Sequence, residues 1–121
     1  MSAPASFEQY LAAWNERDLN RVPALLEVCV ADEVVFADPA ARTEGRAALA
    51  DHIAATREAL PDATYRVTSG IDGGHDRVYR YTWDIVVDGD IVMTGMDATT
   101  VDADGRISRI DGFFGPFPPT D

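Results

Sequence analysis

Residues 33–39 mark the first strand of this chain; they read Glu33-Val34-Val35-Phe36-Ala37-Asp38-Pro39. Val34, Val35 and Phe36 favour an extended backbone. Because a proline cannot donate a hydrogen bond within a sheet, the strand is predicted to end at or near Asp38. The Asp38 carboxylate then either starts an Asp-Pro turn or lies at the mouth of a cavity that the strand lines. These residues alone leave both interpretations open.

The composition indicates one globular domain. A chain of 121 residues is long enough for one hydrophobic core and too short for two, so we expect a single domain over residues 1–121. The formal charge of -11 and the even scatter of the ten arginines argue against binding to nucleic acid or to anionic membranes. There is no apolar run of membrane-spanning length and no secretion-signal pattern, so we expect a cytoplasmic location.

Missing side-chain types narrow the possible chemistry. The chain has no lysine, which excludes Schiff-base chemistry on a side-chain amine and a Walker-type phosphate loop. Neither of its two histidines, His52 and His75, has a partner at metal-ligand spacing, so we expect no metal and no other cofactor. Cys29 lies in an apolar run and is interpreted as a core residue. Carboxylates, tyrosine and histidine remain for chemistry.

The first predicted helix places a tyrosine in the protein interior. Ser6 is interpreted as its N-cap, and one apolar face is formed at helical spacing by Phe7, Tyr10, Leu11 and Trp14. Because a buried phenol normally has a hydrogen-bond partner, we expect a polar group beside Tyr10.

Two further helices are predicted. A short one follows Asp18, with Pro23 in its first turn. A longer one runs from Arg46 to Ala59 after Gly45, which is predicted to be left-handed. His52 lies beside the apolar stripe of this third helix. It faces either a cavity or the solvent.

From Ala63 onward the hydrophobic pattern changes to period two. Strands are predicted at residues 64–71, 77–87, 91–101 and 106–114, with tight turns at residues 88–90 and 102–105. The second of these strands places large apolar side chains on one side, enough to line a cavity: Tyr79, Tyr81, Trp83 and Ile85. Asp97 is a lone acid inside the third. With no positive charge beside it on that strand, we expect desolvation to raise its pKa.

This order of elements resembles the NTF2-like superfamily, and is most similar to its ketosteroid isomerase and SnoaL-like polyketide cyclase branches. The resemblance covers Phe7 to Gly115. It depends on five motifs, namely Tyr10-Leu11-Ala12-Ala13-Trp14-Asn15, Asp18-Leu19, Phe36-Ala37-Asp38-Pro39, Gly45-Arg46 and Asp104-Gly105-Arg106-Ile107. It implies an α+β fold with three helices, in which a curved antiparallel sheet wraps around a long N-terminal helix and forms a cone with an apolar pocket.

The isomerase resemblance also implies a site. Asp38 matches the general base, while Tyr10 and Asp97 match the two groups that donate hydrogen bonds to the substrate oxygen. Ile53 stands where some isomerases have a supporting tyrosine. The substrate pocket is expected to include Trp14, Phe36, His52, Tyr81, Trp83, Met93, Ile110 and Phe114.

Three functions remain open. The leading hypothesis is proton transfer next to the carbonyl of a small, apolar, cyclic ketone, as in an isomerase or a polyketide cyclase. The second is a binding domain without catalysis, since this fold often serves that way. The third is water addition, as in the epoxide hydrolase branch, which needs an arginine–acid pair on the pocket wall. Arg109 and Asp111 share one face, but the isomerase register places that face outside.

The resemblance further implies a homodimer through the outer face of the sheet.

Overall fold

Three α-helices and seven strands make up the part of the chain that the computed structural model describes, residues 3–120. The helices are α1 (Ser6–Asn15), α2 (Val22–Glu27) and α3 (Arg46–Ala59), and 3₁₀ turns lie at Leu19–Arg21 and His75–Arg77. The strands are β1 (Val30–Ala37), β2 (Arg42–Glu44), β3 (Thr64–Val67), β4 (Asp72–Gly73), β5 (Val78–Val87), β6 (Asp90–Val101) and β7 (Ile107–Phe114). No helix within residues 3–120 has the length and apolarity needed to cross a membrane.

The first helix has the predicted inner face but not the predicted cap. Phe7, Tyr10 and Ala13 are buried. Ala5 occupies the N-cap position, and the Ser6 hydroxyl instead donates to the carbonyl oxygen of Gly105 at 2.6 Å. The prediction of Ser6 as N-cap is therefore wrong. This hydrogen bond connects the start of α1 to the turn between β6 and β7. The sequence around Ser6 could not predict a contact with a residue so distant in the chain.

The start of α3 matches the prediction, whereas Asp18 caps the 3₁₀ turn before α2 and not α2 itself. The side chain of Asp18 caps the first 3₁₀ turn by accepting from the backbone N–H of Asn20 at 3.1 Å. Gly45 has φ +92°, and α3 follows it directly. With 14 residues, α3 is longer than α1, which has 10.

The strands form one curved sheet in the order β2-β1-β7-β6-β5-β3, with β4 also paired to β5. All pairs are antiparallel except β1 with β7, which is parallel. The expected antiparallel sheet is therefore a mixed one. A parallel pair needs a long connection, and here α3 and the β3–β6 meander supply it.

Several strand boundaries differ from the prediction. The strand expected over residues 64–71 ends at Val67, because the Ser69 hydroxyl takes over as acceptor for the backbone N–H of Thr82 at 2.9 Å. Residues 42–44, for which the sequence analysis predicts neither helix nor strand, form β2 against the end of β1. This short strand holds the loop after Asp38 in place.

The core lies between the helices and the concave face of the sheet. Its fully buried side chains include Leu26, Cys29, Val30, Leu49, Ile53, Ile107 and Ile110. Cys29 is thus a core residue, as predicted, and burial raises the pKa of its thiol to about 11.

Candidate active site

A cavity of about 300 Å³ lies between α1, α3 and the concave face of the sheet. Its wall is mostly apolar and aromatic, which is typical of a site for a small organic ligand. The structure brings to this one cavity all three predicted catalytic residues and seven of the eight predicted lining residues: Tyr10, Asp38, Asp97, Trp14, Phe36, His52, Tyr81, Trp83, Met93 and Phe114.

Asp97 is held by two hydrogen bonds from β5. Its Oδ1 accepts from the indole Nε1 of Trp83 at 2.9 Å, and its Oδ2 accepts from the hydroxyl of Tyr81 at 3.1 Å. Burial raises the pKa of Asp97 to about 6; the two donors oppose this effect, and the negative charge of Asp38 adds to it. The expected direction is therefore confirmed. The carboxyl group titrates just below neutral pH.

Tyr10 is 3% exposed, and its ring lines the same cavity. Its hydroxyl has no hydrogen-bond partner within residues 3–120, so the polar partner expected for it is not found there. Burial, followed by the nearby negative charge of Asp97, raises the pKa of this phenol well above its usual range. An unpaired buried hydroxyl costs free energy, and a ligand oxygen in contact with it would offset that cost.

Asp38 combines the two roles that the sequence left open. It follows β1, and its Oδ1 accepts from the backbone N–H groups of Ala40 and Ala41, both at 2.8 Å, which makes the Asp-Pro turn. It also lines the cavity. The turn fixes the orientation of the carboxylate, and Oδ2 receives no protein hydrogen bond within residues 3–120.

His52 is half-buried and lines the cavity. Its ring centroid lies 5.0 Å from that of Phe36 and 5.9 Å from that of Trp14. Burial lowers the pKa of His52, and the charge of Asp38 opposes this only in part. The imidazole is therefore neutral at physiological pH.

The comparisons with known proteins identify the family of this chain. A family model described as a SnoaL-like domain matches residues 7–110. The chain belongs to the SnoaL-like family. No match was found among curated proteins.

Solved structures of SnoaL-like and NTF2-like proteins share the fold. One from Agrobacterium tumefaciens, described as "a putative isomerase of the SnoaL-like family", is 32% identical, with a TM-score of 0.86 over 92% of this chain and 95% of that one. A "putative polyketide cyclase" from Sinorhizobium meliloti is 26% identical, with a TM-score of 0.64 over 90% and 94%. An NTF2-like protein of unknown function from Exiguobacterium is 17% identical, with a TM-score of 0.75 over 93% and 100%. The recognition of an NTF2-like fold from the sequence is confirmed.

The prediction that Ile110 lines the pocket is wrong. Ile110 is fully buried in the core and does not contact the cavity. It lies on the correct face of β7, since Gly112 and Phe114 on that face do line the cavity. On β7 the cavity wall is therefore formed by Gly112 and Phe114.

Two glycines of the SnoaL-like site were missed by the sequence analysis. A Cβ atom on Gly112 would lie 3.2 Å from both the Asp38 Cβ and the Asp97 Oδ1, so this glycine lets the two acids lie on either side of it. A Cβ atom on Gly95 would overlap the Trp83 indole, which crosses Gly95 to reach Asp97. A glycine inside a strand is the available signal for such close approach.

The arginine–acid pair considered for water addition is outside the SnoaL-like pocket. Arg109 binds Asp111 through two hydrogen bonds of 2.9 Å, and neither residue lines the cavity. The described residues also contain no cluster of three or more His, Cys, Asp or Glu side chains that could hold a metal ion.

Proposed function

We propose that this SnoaL-like protein transfers a proton next to the carbonyl group of a small, mostly apolar, cyclic ketone, in an isomerase-type or cyclase-type reaction. The observation that carries this proposal is that Asp38, Asp97 and Tyr10 all line one apolar cavity, and that the Tyr10 hydroxyl has no hydrogen-bond partner within residues 3–120. The descriptions of the Agrobacterium and Sinorhizobium proteins support the same two reaction types.

Asp38 is the proposed base. The two backbone N–H groups on its Oδ1 hold the carboxylate in a fixed orientation. Its Oδ2 is then free to take a proton from the carbon next to the carbonyl group. In an isomerase-type reaction the same oxygen returns the proton to a different carbon.

Tyr10 and Asp97 are the proposed donors to the carbonyl oxygen, which becomes an enolate oxygen as the proton leaves. With a pKa of about 6, about a tenth of Asp97 is protonated at pH 7. An apolar substrate that fills the cavity removes water from this carboxyl group and favours its neutral form further. The neutral form can donate a hydrogen bond while still accepting one from Trp83.

The test uses a β,γ-unsaturated cyclic ketone as substrate. NMR in D₂O measures proton exchange, and ultraviolet absorbance measures isomerisation. We expect Tyr10→Phe to lower kcat by about 10²- to 10³-fold, because one donor to the developing oxyanion is lost. Tyr79→Phe is the matched control, since Tyr79 is also buried but does not line the cavity. A wild-type protein that exchanges no faster than buffer over a panel of such ketones would contradict the proposal.

A binding domain without catalysis is the second candidate. The two turn hydrogen bonds to Asp38 favour it, because they give this acid a structural role that needs no chemistry. This candidate predicts tight ligand binding together with exchange at the rate of buffer.

Binding of a phenol tests the donor pair separately from turnover. We expect Asp97→Ala to weaken the binding of 2-naphthol, an enolate mimic, by about 1 to 3 kcal/mol, because one charge-assisted hydrogen bond is lost. Calorimetry measures this difference, with Asp111→Ala as a control outside the cavity. Equal affinity of the wild type and Asp97→Ala would remove Asp97 from the site.

We also propose a homodimer through the outer face of the sheet. Large apolar side chains remain exposed on β6 and β7, with Ile91 57%, Val92 51% and Phe113 52% exposed. Covering them with a second copy would remove this apolar surface from water. Light scattering at micromolar concentration should therefore give twice the chain mass, and Phe113→Asp should give a monomer. A monomeric wild type would contradict this expectation.

A further inference from the structure

We propose that the ligand of this cavity carries a carboxylate at the end remote from Asp97, where the Tyr65 hydroxyl donates a hydrogen bond to it beside the positive charge of Arg57. The inference starts from two buried groups that lack partners within residues 3–120, the Tyr65 hydroxyl and the Arg57 guanidinium. It rests on the proposed function only for the direction in which the ligand lies.

Tyr65 supplies a buried phenol to the cavity wall. Its side chain lines the cavity, and its hydroxyl makes no hydrogen bond to any group within residues 3–120. Burial raises the pKa of this phenol, and the charge of Arg57 opposes the effect only in part, so the hydroxyl is protonated at neutral pH. A ligand oxygen that accepts from it would offset the cost of leaving it unpaired.

Arg57 places a positive charge beside this phenol. It is a buried residue of α3, and its guanidinium carbon lies 5.5 Å from the centre of the Tyr65 ring. Its guanidinium donates to the carbonyl oxygen of Ala63, and no Asp or Glu within residues 3–120 forms an ion pair with it. Because a buried cation without a counter-charge is costly, an anion held nearby would be stabilised. This favours a carboxylate over a neutral oxygen at Tyr65.

The register of the sheet separates Tyr65 from Asp97. On β5, Tyr81 donates to Asp97, and Ile85 is paired with Tyr65. These two β5 residues are four positions apart in a stretch with regular pairing, and both line the cavity. At about 3.3 Å per residue, they are about 13 Å apart along the strand. Asp97 and Tyr65 therefore belong to opposite ends of the cavity.

Helix α1 gives the same direction. Tyr10, the other proposed donor, lies about one turn before Trp14, and the ring of Trp14 lies 5.0 Å from that of Tyr65. The side chain of Asn15 accepts from the backbone N–H of Tyr65 and donates to its carbonyl oxygen, both at 2.8 Å. These two hydrogen bonds fix Tyr65 at the C-terminal end of the helix, beyond the proposed catalytic groups.

The charges near the cavity differ between its two ends. Asp38 and Asp97 make one end acidic. At the other end Arg66 and Asp84 neutralise each other through two hydrogen bonds of 2.7 and 2.8 Å, which leaves the charge of Arg57. Surface acids farther away than about 8 Å are screened at physiological ionic strength. A ligand carboxylate is thus repelled from the first end and attracted to the second, which places the ketone of the same ligand at Asp38.

The test compares four ligands built on naphthalene: 2-naphthol, 6-hydroxy-2-naphthoic acid, the methyl ester of that acid, and 3-hydroxy-2-naphthoic acid. Calorimetry at pH 7 should show that the wild type binds the 6-hydroxy acid about 10- to 100-fold more tightly than its ester, as expected for one hydrogen bond to a charged group. The 3-hydroxy acid carries its carboxylate beside the hydroxyl, and therefore close to Asp38. It should bind more weakly than 2-naphthol.

Two sets of variants locate the source of this gain. Tyr65→Phe should abolish the gain and retain the wild-type affinity for 2-naphthol. Tyr79→Phe is the matched control, since Tyr79 is buried but does not line the cavity, and it should retain the gain. Arg57→Lys keeps the positive charge and should retain most of the gain, whereas Arg57→Gln should lose part of it. Circular dichroism checks the folding of each variant.

Four results would each overturn the inference. They are no binding of the 6-hydroxy acid to the wild type, equal affinities for the acid and its ester, a gain that persists in folded Tyr65→Phe, and an equal gain for the 3-hydroxy acid. The proton-exchange assay is separate. If exchange fails but the Tyr65-dependent gain appears, the proposed function falls and the carboxylate site stands; if exchange succeeds without the gain, only the carboxylate site falls.

Discussion

Asp38→Asn is expected to lower the rate of proton exchange by about 10²- to 10⁴-fold, the usual contribution of a positioned general base. The amide is nearly isosteric with the carboxylate but cannot take up the proton. Its carbonyl oxygen can still accept from the backbone N–H groups of Ala40 and Ala41, so the turn and the fold should remain intact. Exchange kinetics with circular dichroism as the folding check measure both effects.

Two comparison variants separate the base from the turn. Asp62→Asn removes an exposed carboxylate outside the cavity and should leave exchange unchanged. Asp38→Ala removes both the base and the turn acceptor, and should also destabilise the loop by about 1 to 3 kcal/mol. Asp38 has no catalytic role if the folded Asp38→Asn variant exchanges protons at the wild-type rate.

Asp97→Asn is expected to gain stability relative to the wild type as the pH rises from 4 to 8. In the folded protein the pKa of Asp97 is about 6, against an ordinary value of 3.8. At a pH between these two pKa values, the Asp97 carboxyl group is protonated in the folded state and ionised in the unfolded state. The contribution of Asp97 to stability is therefore complete below pH 4 and is lost as the pH rises through 6.

The pKa difference corresponds to about 3 kcal/mol of unfolding free energy. Asparagine does not titrate, and its carbonyl oxygen can still accept from Trp83. The free energy of unfolding of the variant minus that of the wild type should thus rise by up to about 3 kcal/mol between pH 4 and pH 8. Urea denaturation across this range measures the difference, with Asp62→Asn as the exposed control. A difference that does not change with pH would show that burial does not perturb Asp97.

Local patterns predicted most of the fold. The helix α3 matches its predicted bounds because Gly45 and Pro61 bracket a clear apolar stripe, and β5 to β7 follow from period-two runs between tight turns. The parallel pairing of β1 with β7 and the short strand β2 depend on which distant segments meet. Tertiary packing decides that, and no local pattern encodes it.

The donors to Asp97 show why the candidate site was predicted only in part. The tight turn pairs Val87 with Asp90, and continuing that register would place Met96 opposite Tyr81. A bulge between Ile85 and Val86 shifts the register by one residue and places Asp97 there instead. A one-residue shift moves a side chain to the other face of the sheet. The residue types near the bulge do not predict it, so the register could not be read from the sequence.

The positions of Trp14 and Trp83 allow the cavity to be followed by tryptophan fluorescence. These are the two tryptophans of the chain, and both line the cavity, so all indole fluorescence of the protein comes from its wall. The Trp83 N–H donates directly to Asp97, whose charge changes near pH 6. The unlabelled protein should therefore report ligand entry through quenching and the ionisation of Asp97 through a shift in emission wavelength.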